Sequence, residues 1–198
     1  WLGGGAIFAV SRKHAQAERD LIKATLRPHV DRLLFIDRWV AGAAKLARRV
    51  VGGWSGARVL DDLVHAYEES PHLGIPTSQN IRSVYWRKSM EVPTHIDPDR
   101  DRCGAIWLSP TVPFRGADVK RAIDMAVSHF NAHSFEPNIS VVCLTERIAN
   151  LVIALMYDRE THGEDERAMA CYRELQAAYV AQGYLPYRLG IQSMDSLP

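Results

Sequence analysis

Short apolar runs alternate with helical stripes along this chain. Ala6 to Val10 reads as a short strand. Ser11 is placed to N-cap a helix with Ala17, Leu21 and Ala24 on one face, and Pro28 ends it. Val30 to Ile36, rich in branched and aromatic residues, reads as the next strand. Strand, helix and strand in about 30 residues is the first half of a ferredoxin-like unit. From Asp37 to Glu69 the pattern is helical with a break at Gly52-Gly53, and Leu60, Leu63, Val64 and Tyr67 share a face.

Ser70 to Arg102 is a long irregular connection, marked by Pro71, Pro76, Pro93 and Pro98 and by Asp97, Asp99 and Arg100. A loop of this length in a compact domain is usually functional or packs on another domain. Within it Val84-Tyr85-Trp86 reads as a short strand. The second half repeats the first more cleanly. Ala105 to Leu108 is a strand closed by Ser109-Pro110. Asp118 to His133 is a helix with Val119, Ile123, Ala126, Val127 and Phe130 facing inward. Ile139 to Leu144 and Leu151 to Tyr157 are strands of opposite sense. Glu164 to Gln182 is a helix with Ala168, Tyr172, Leu175 and Tyr179 inward and Gly183 as its C-terminal stop. Tyr187 to Gln192 begins a last strand. The expected class is α+β, an antiparallel sheet covered by helices.

Composition changes the picture only by exclusion. The chain has 198 residues, 47% apolar and 24% charged, the balance of a globular protein with a real core. A formal charge of +1, from 24 basic and 23 acidic residues, gives no electrostatic case for nucleic acid or an anionic membrane as partner. No apolar run reaches the roughly 20 residues that span a bilayer. Cys103, Cys143 and Cys171 are too far apart for a CxxC site, and the eight histidines lack ligand spacing, so no metal is expected. Sparse, odd cysteines fit a reducing compartment, which makes the cytoplasm the expected location and the periplasm the alternative. The start at Trp1 without Met, and the stop at Pro198 inside an incoming element, both read as cuts in a longer protein.

Dinucleotide, P-loop, HExxH and GxSxG signatures are absent. Gly3-Gly4-Gly5 precedes a strand rather than a helix and reads as a joint, not a phosphate cradle. Tyr187-Arg188 stands out, because a bound phenolate needs a fixed positive charge and a hydroxyl donor. Neighbours in a strand point to opposite faces, so both reach one ligand only at a bend, which Pro186 supports. A surface Arg beside a core Tyr is the plain structural alternative. Cys103-Gly-Ala-Ile-Trp-Leu-Ser-Pro110 is the second segment of note: Gly104 and Ala105 allow close approach of a flat ligand, and Trp107 could wall an aromatic pocket. Its alternative is an ordinary core strand. Tyr85-Trp86-Arg87-Lys88 and the charged run Asp97 to Arg102 have similar plain readings, as a half-buried strand end and a solvated or interdomain loop.

Gly74-Ile-Pro-Thr77, Tyr85-Trp-Arg-Lys88, Asp99-Arg-Asp-Arg-Cys-Gly104, Trp107-Leu-Ser-Pro110, Tyr157-Asp-Arg-Glu160 and Pro186-Tyr-Arg-Leu-Gly-Ile-Gln-Ser-Met194 together resemble the C-terminal domain of FAD-linked oxidases. More narrowly they resemble the 4-cresol dehydrogenase (hydroxylating) and vanillyl-alcohol oxidase family. The resemblance implies that residues 1–198 are a substrate-binding (cap) fragment whose FAD-binding domain lies outside this chain, and that the fragment alone is inactive. It implies FAD as cofactor and oxidation of a para-substituted phenol, by hydride transfer to the flavin and addition of water to a quinone methide. It makes Tyr187 and Arg188 the catalytic and substrate-binding pair at the phenolate oxygen; Trp107 joins them in substrate binding only on its own chemistry, as an aromatic wall. Some members attach FAD covalently through a His or Tyr near the strand ending in Ser-Pro; here no His or Tyr lies between Asp97 and Pro113. Implied partners are the phenol, the FAD-binding domain, and a second copy or a cytochrome subunit. Two alternatives stay open: a flavoenzyme for a 2-hydroxy acid, with Arg188 on the carboxylate, and a non-enzymatic α+β ligand-binding module.

Overall fold

The helix expected after Ser11 forms over Arg12–Leu26 (α1) in the computed structural model of the chain, which describes residues 3–51, 57–68, 70, 73, 74, 76 and 78–196. Ser11 Oγ accepts a hydrogen bond from His14 N at 3.2 Å, satisfying one of the donors left free at a helix start. The chain divides into two compact units, residues 1–77 and 78–198.

In the first unit, Asp37 Oδ1 accepts from Trp39 N (2.9 Å) and Val40 N (3.0 Å) and so starts Arg38–Val51 (α2). Those backbone donors, Val40 first, hold the Asp37 carboxyl below its ordinary pKa. Ala41 and Ala44 are buried, and α2 packs against Ala57–Glu68 (α3), with Arg48 bonded to Asp61 at 2.9 Å and Lys45 paired to Glu68. Leu60, Leu63, Val64 and Tyr67 all fall on α3. Gly52-Gly53 and Pro71 lie outside the described residues. The strands expected at Ala6 to Val10 and Val30 to Ile36 do not form. An apolar run becomes a strand only when a ladder partner takes up its backbone groups. Neither segment has one among the described residues, and Phe8, Val10 and Leu34 stay exposed.

The second unit holds the sheet. Val84-Tyr85-Trp86 is not a strand: Gln79–Tyr85 is a 3-10 helix that turns at Trp86. Cys103–Leu108 (β1) and Thr111–Pro113 (β2) both pair antiparallel with Ile148–Asp158 (β4), whose other edge pairs with Asn138–Cys143 (β3). The pairs Leu108↔Ile153 and Thr111↔Asn150 keep one register, so β1 and β2 are a single strand. It is interrupted where Pro110 has no N–H to give.

Gly116–Ala132 (α4) and Glu164–Ala181 (α5) cover one face. Their core joins Ala122, Ala126 and Phe130 of α4, Ala168, Tyr172, Leu175 and Tyr179 of α5, and Ile106, Leu108, Leu151, Ile153 and Leu155 of the sheet. Each large side chain fully buried here contributes about 1.5–3 kcal/mol. Gly183 ends α5 at φ 75°, which a side chain would oppose.

The order β, α4, β3, β4, α5 is ferredoxin-like, and its fourth strand is reduced to one bridge, Pro110↔Pro186. The strand expected over Tyr187 to Gln192 is therefore absent. The backbone bends at Tyr187 and Arg188 and enters a 3-10 helix at Ile191–Ser196. Pro186 cannot extend the ladder. The α+β class with helices over an antiparallel sheet is the fold observed.

Candidate functional site

The sheet's second face differs from the first. At one end the 3-10 helix covers it: Val84 and Tyr85 pack with Cys103, Ala154 and Met156, backed by Val92 and Ile96. Tyr85 Oη donates to Asp101 Oδ2 at 2.6 Å and accepts from Asp97 N at 3.0 Å. Arg100 bonds both oxygens of Asp101 (2.7 and 2.8 Å), and this guanidinium, followed by Tyr85, lowers the Asp101 pKa to about 2. Burial, followed by the Asp101 bond, raises the Tyr85 phenol.

Arg87 and Lys88 lock the same end. Lys88 Nζ reaches Asp158 and Glu160 at 2.7 Å each. Burial opposes its charge, but the two carboxylates outweigh that and raise its pKa. Arg87 bonds Glu164 at 2.7 Å, and Trp86 Nε1 donates to Glu136 at 2.8 Å. The segment Tyr85 to Lys88, flagged in the sequence, thus fastens a loop to the sheet, and Asp97 to Arg102 is tied rather than freely solvated. Cys103 is buried, and burial raises its thiol pKa, which argues against a reactive thiolate.

At the other end the face is open. Alternation along β1 turns Ile106 and Leu108 to the helices and Trp107 outward, 54% exposed. Ala105 flanks it on β1, and the same face carries Val152 of β4 and the exposed Ser140 of β3; Val142 and Ile148 lie farther along the sheet. The Pro110↔Pro186 bridge puts Tyr187 opposite Ser109, and Tyr187 N donates to Ser109 O at 2.6 Å. Ser109 is two residues from Trp107 on the same face, roughly 7 Å along the strand. The Arg188 guanidinium lies 5.7 Å from the centre of the Tyr187 ring, stacked on it. Tyr187 and Arg188 are exposed, and Arg188 forms no salt bridge among the described residues. The backbone pairing places all three sequence-expected site residues, Trp107, Tyr187 and Arg188, along one edge of the sheet. The bend after Pro186 lets the last two turn the same way.

No protein-family model matches the chain. It is 56% identical over all 198 of its residues to 1'-carboxy-chondrochloren decarboxylase of Chondromyces crocatus, covering 36% of that protein. It is 28% identical over 122 residues, 62% of the chain, to the flavoprotein subunit of 4-cresol dehydrogenase (hydroxylating) of Pseudomonas putida, covering 21% of it. A crystal structure of p-cresol methylhydroxylase with substrate bound superposes with a TM-score of 0.60 at 18% identity, over 94% of this chain and 30% of that one.

The chain is homologous to the 4-cresol dehydrogenase flavoprotein.

It spans about a third of the length of the first of these relatives, and the second unit carries the fold that positions the site. Homology to a flavoprotein raises the question of which residues could face a flavin. The open face, with Ala105, Trp107 and Val152, suits the flat ring of a flavin but not its phosphates. The α5 start carries Glu164, Asp165 and Glu166, and that of α4 carries Asp118 bonded to Arg115 at 2.6 Å, so both helix N-termini already hold negative charge. Among the described residues no group of three or more His, Cys, Asp or Glu is arranged to hold a metal. None of the described helices is long and apolar enough to cross a membrane.

Sequence reasoning passed over two residues of this edge. Asn150 is a buried amide in the apolar strand β4, and Thr111 opens β2. A lone Asn in an apolar run is a signal that a backbone group nearby needs a partner.

Proposed function

We propose that the chain is the substrate-binding part of a larger FAD-dependent oxidoreductase acting on a para-substituted phenol. One observation carries this reading: an exposed Arg188 without a salt bridge among the described residues, stacked on Tyr187, whose backbone pairs with Ser109 two residues from the exposed Trp107. A permanent cation with several donors, joined by a phenol hydroxyl, stabilises a substrate phenolate. Trp107 supplies a flat wall for the substrate ring. A flavin bound over this face would supply the two-electron acceptor. The phenolate gives up a benzylic hydrogen with its electron pair, becoming a quinone methide, and water then adds to that carbon and loses a proton. Arg188 and Tyr187 hold the oxygen on which charge is lost and regained, and the apolar face limits water to the adding molecule.

A second reading rests on the 56% identical relative, whose name is that of a decarboxylase. Here the substrate carries a carboxylate, CO2 leaves, and the bond pair stays on carbon to take a proton or passes to the flavin. The same Arg188 could hold the phenolate or the carboxylate.

The test uses the full-length parent protein. Purified with its flavin and mixed anaerobically with 4-cresol, it bleaches, and Arg188→Ala abolishes bleaching. CO2 release from a 4-hydroxyphenyl carboxylic acid, without bleaching by 4-cresol, would move the assignment to the second reading. A protein without flavin would end both flavin routes.

A further inference from the structure

The Tyr187-Arg188 bend is held by very little secondary structure, yet its backbone is closely tied. Leu185 O accepts from both Thr111 N (2.8 Å) and Thr111 Oγ1 (2.7 Å). Tyr187 N donates to Ser109 O at 2.6 Å. Between these two anchors Pro110 interrupts the β1–β2 strand because it has no N–H to give, while its own carbonyl still accepts from Leu151 N and that of Ser109 from Tyr187 N.

Asn150, 6% exposed, lies at that break and adds a second donor to each carbonyl. With its amide nitrogen turned to the strand it donates to Ser109 O at 3.1 Å and Pro110 O at 3.0 Å. The opposite orientation would set its oxygen against two carbonyl oxygens, which buried groups avoid. Ser109 O therefore receives two donors, the Asn150 side chain from one side and the Tyr187 backbone from the other. Pro110 O is likewise shared, between Asn150 and Leu151 N (3.0 Å). A buried amide in β4 thus fixes the strand break on which the Tyr187 backbone is hung, and Thr111 fixes the residue two before it.

We infer that Asn150 and Thr111 are positioning residues of the substrate site: they set where Tyr187 and Arg188 stand relative to Trp107 without touching the substrate. The inference rests on the phenol-binding reading for its consequence, but not for the clamp itself. An ordinary β-ladder would rotate Tyr187 and Arg188 to opposite faces, whereas two anchors either side of a proline break allow the bend that brings them together.

Two substitutions in the full-length protein test it. Asn150→Asp keeps the shape but replaces the donor with an oxygen. Thr111→Val keeps the backbone N–H but removes the hydroxyl, and it decides the matter should Asn150→Asp fail to fold. Hydrogen exchange at the Tyr187 amide is expected to quicken roughly tenfold in Asn150→Asp, the loss of one buried hydrogen bond, and less in Thr111→Val, where the lost bond is exposed, while amides in the middle of β4 and α5 keep their protection. KM for 4-cresol rises several-fold more than kcat falls. Unchanged exchange at Tyr187 in folded variants, or a rise spread evenly over β4 and α5, would overturn the clamp. So would quickened exchange with KM and kcat both unmoved. Should the unaltered protein oxidise no phenol, the functional reading falls and the exchange result alone decides the clamp.

Discussion

The two faces of one sheet show how the same strands can serve folding and chemistry. Toward the helices, Leu151, Ile153 and Leu155 are 0% exposed and Leu108 is 2%. On the other side, Trp107 is 54% exposed, Ile148 42% and Val142 40%. These residues alternate within β1, β3 and β4, so the difference is not one of strand propensity. It comes from what lies over each face: α4 and α5 on one, a 3-10 helix over only part of the other. The uncovered part of that face contributes little to stability and is free to carry a ligand, and Trp107 is exposed there with the Tyr187-Arg188 bend at the same sheet edge.

Truncation should separate the faces most sharply. Leu155→Ala leaves a cavity in the closed face and is expected to cost about 2–5 kcal/mol, read from chemical denaturation. Next is Lys88→Met at the locked end of the second face, which strands Asp158 beside buried surface. A loss of about 3 kcal/mol is expected, with partial recovery in Lys88→Met/Asp158→Asn. Gly104→Ala is smaller. A methyl there would meet the ring of Tyr157, its cross-strand partner, at 2.4 Å, so the ring must shift at a cost of about 1–3 kcal/mol. Tyr157→Leu should relieve part of it.

The pH dependence of the locked end follows from Asp101. Its pKa is lowered to about 2 from an ordinary 3.8, so the folded state favours the charged form. The stabilisation is full above about pH 4 and disappears as pH falls through about 2. Thermal melts of Asp101→Asn should therefore lose their difference from the unaltered protein across that window. The smallest effect on stability is expected from Trp107→Ala, within about 0.5 kcal/mol as for an exposed position, together with weakened phenol binding.

The closed face was legible because burial writes a strong period. Ala168, Tyr172, Leu175 and Tyr179 repeat at helical spacing, and Gly183 marks the stop; the structure buries all four. Where apolar runs lacked that period, the reading failed. Ala6 to Val10, Val30 to Ile36 and Val84 to Trp86 have strand composition, but a ladder needs a partner that composition does not reveal. Tyr187 to Gln192 failed for a local reason, since Pro186 and Pro110 face each other and leave one bridge. Tyr187 and Arg188 themselves were reached through resemblance, not pattern. Asn150 was readable only as a lone amide needing a partner; which partner it takes, the Ser109 carbonyl forty-one positions earlier, depends on the sheet register.

The central claim is that Arg188 is the cation of a phenolate site on the open face. It is tested most directly by titrating an unreactive phenol, 4-hydroxybenzaldehyde, into the full-length protein and its Arg188→Ala variant, following phenolate absorbance. The account predicts binding as phenolate in the unaltered protein and an affinity about ten- to a hundredfold weaker in the variant, the worth of one charged hydrogen bond. Equal affinity and equal phenolate fraction in both would contradict it.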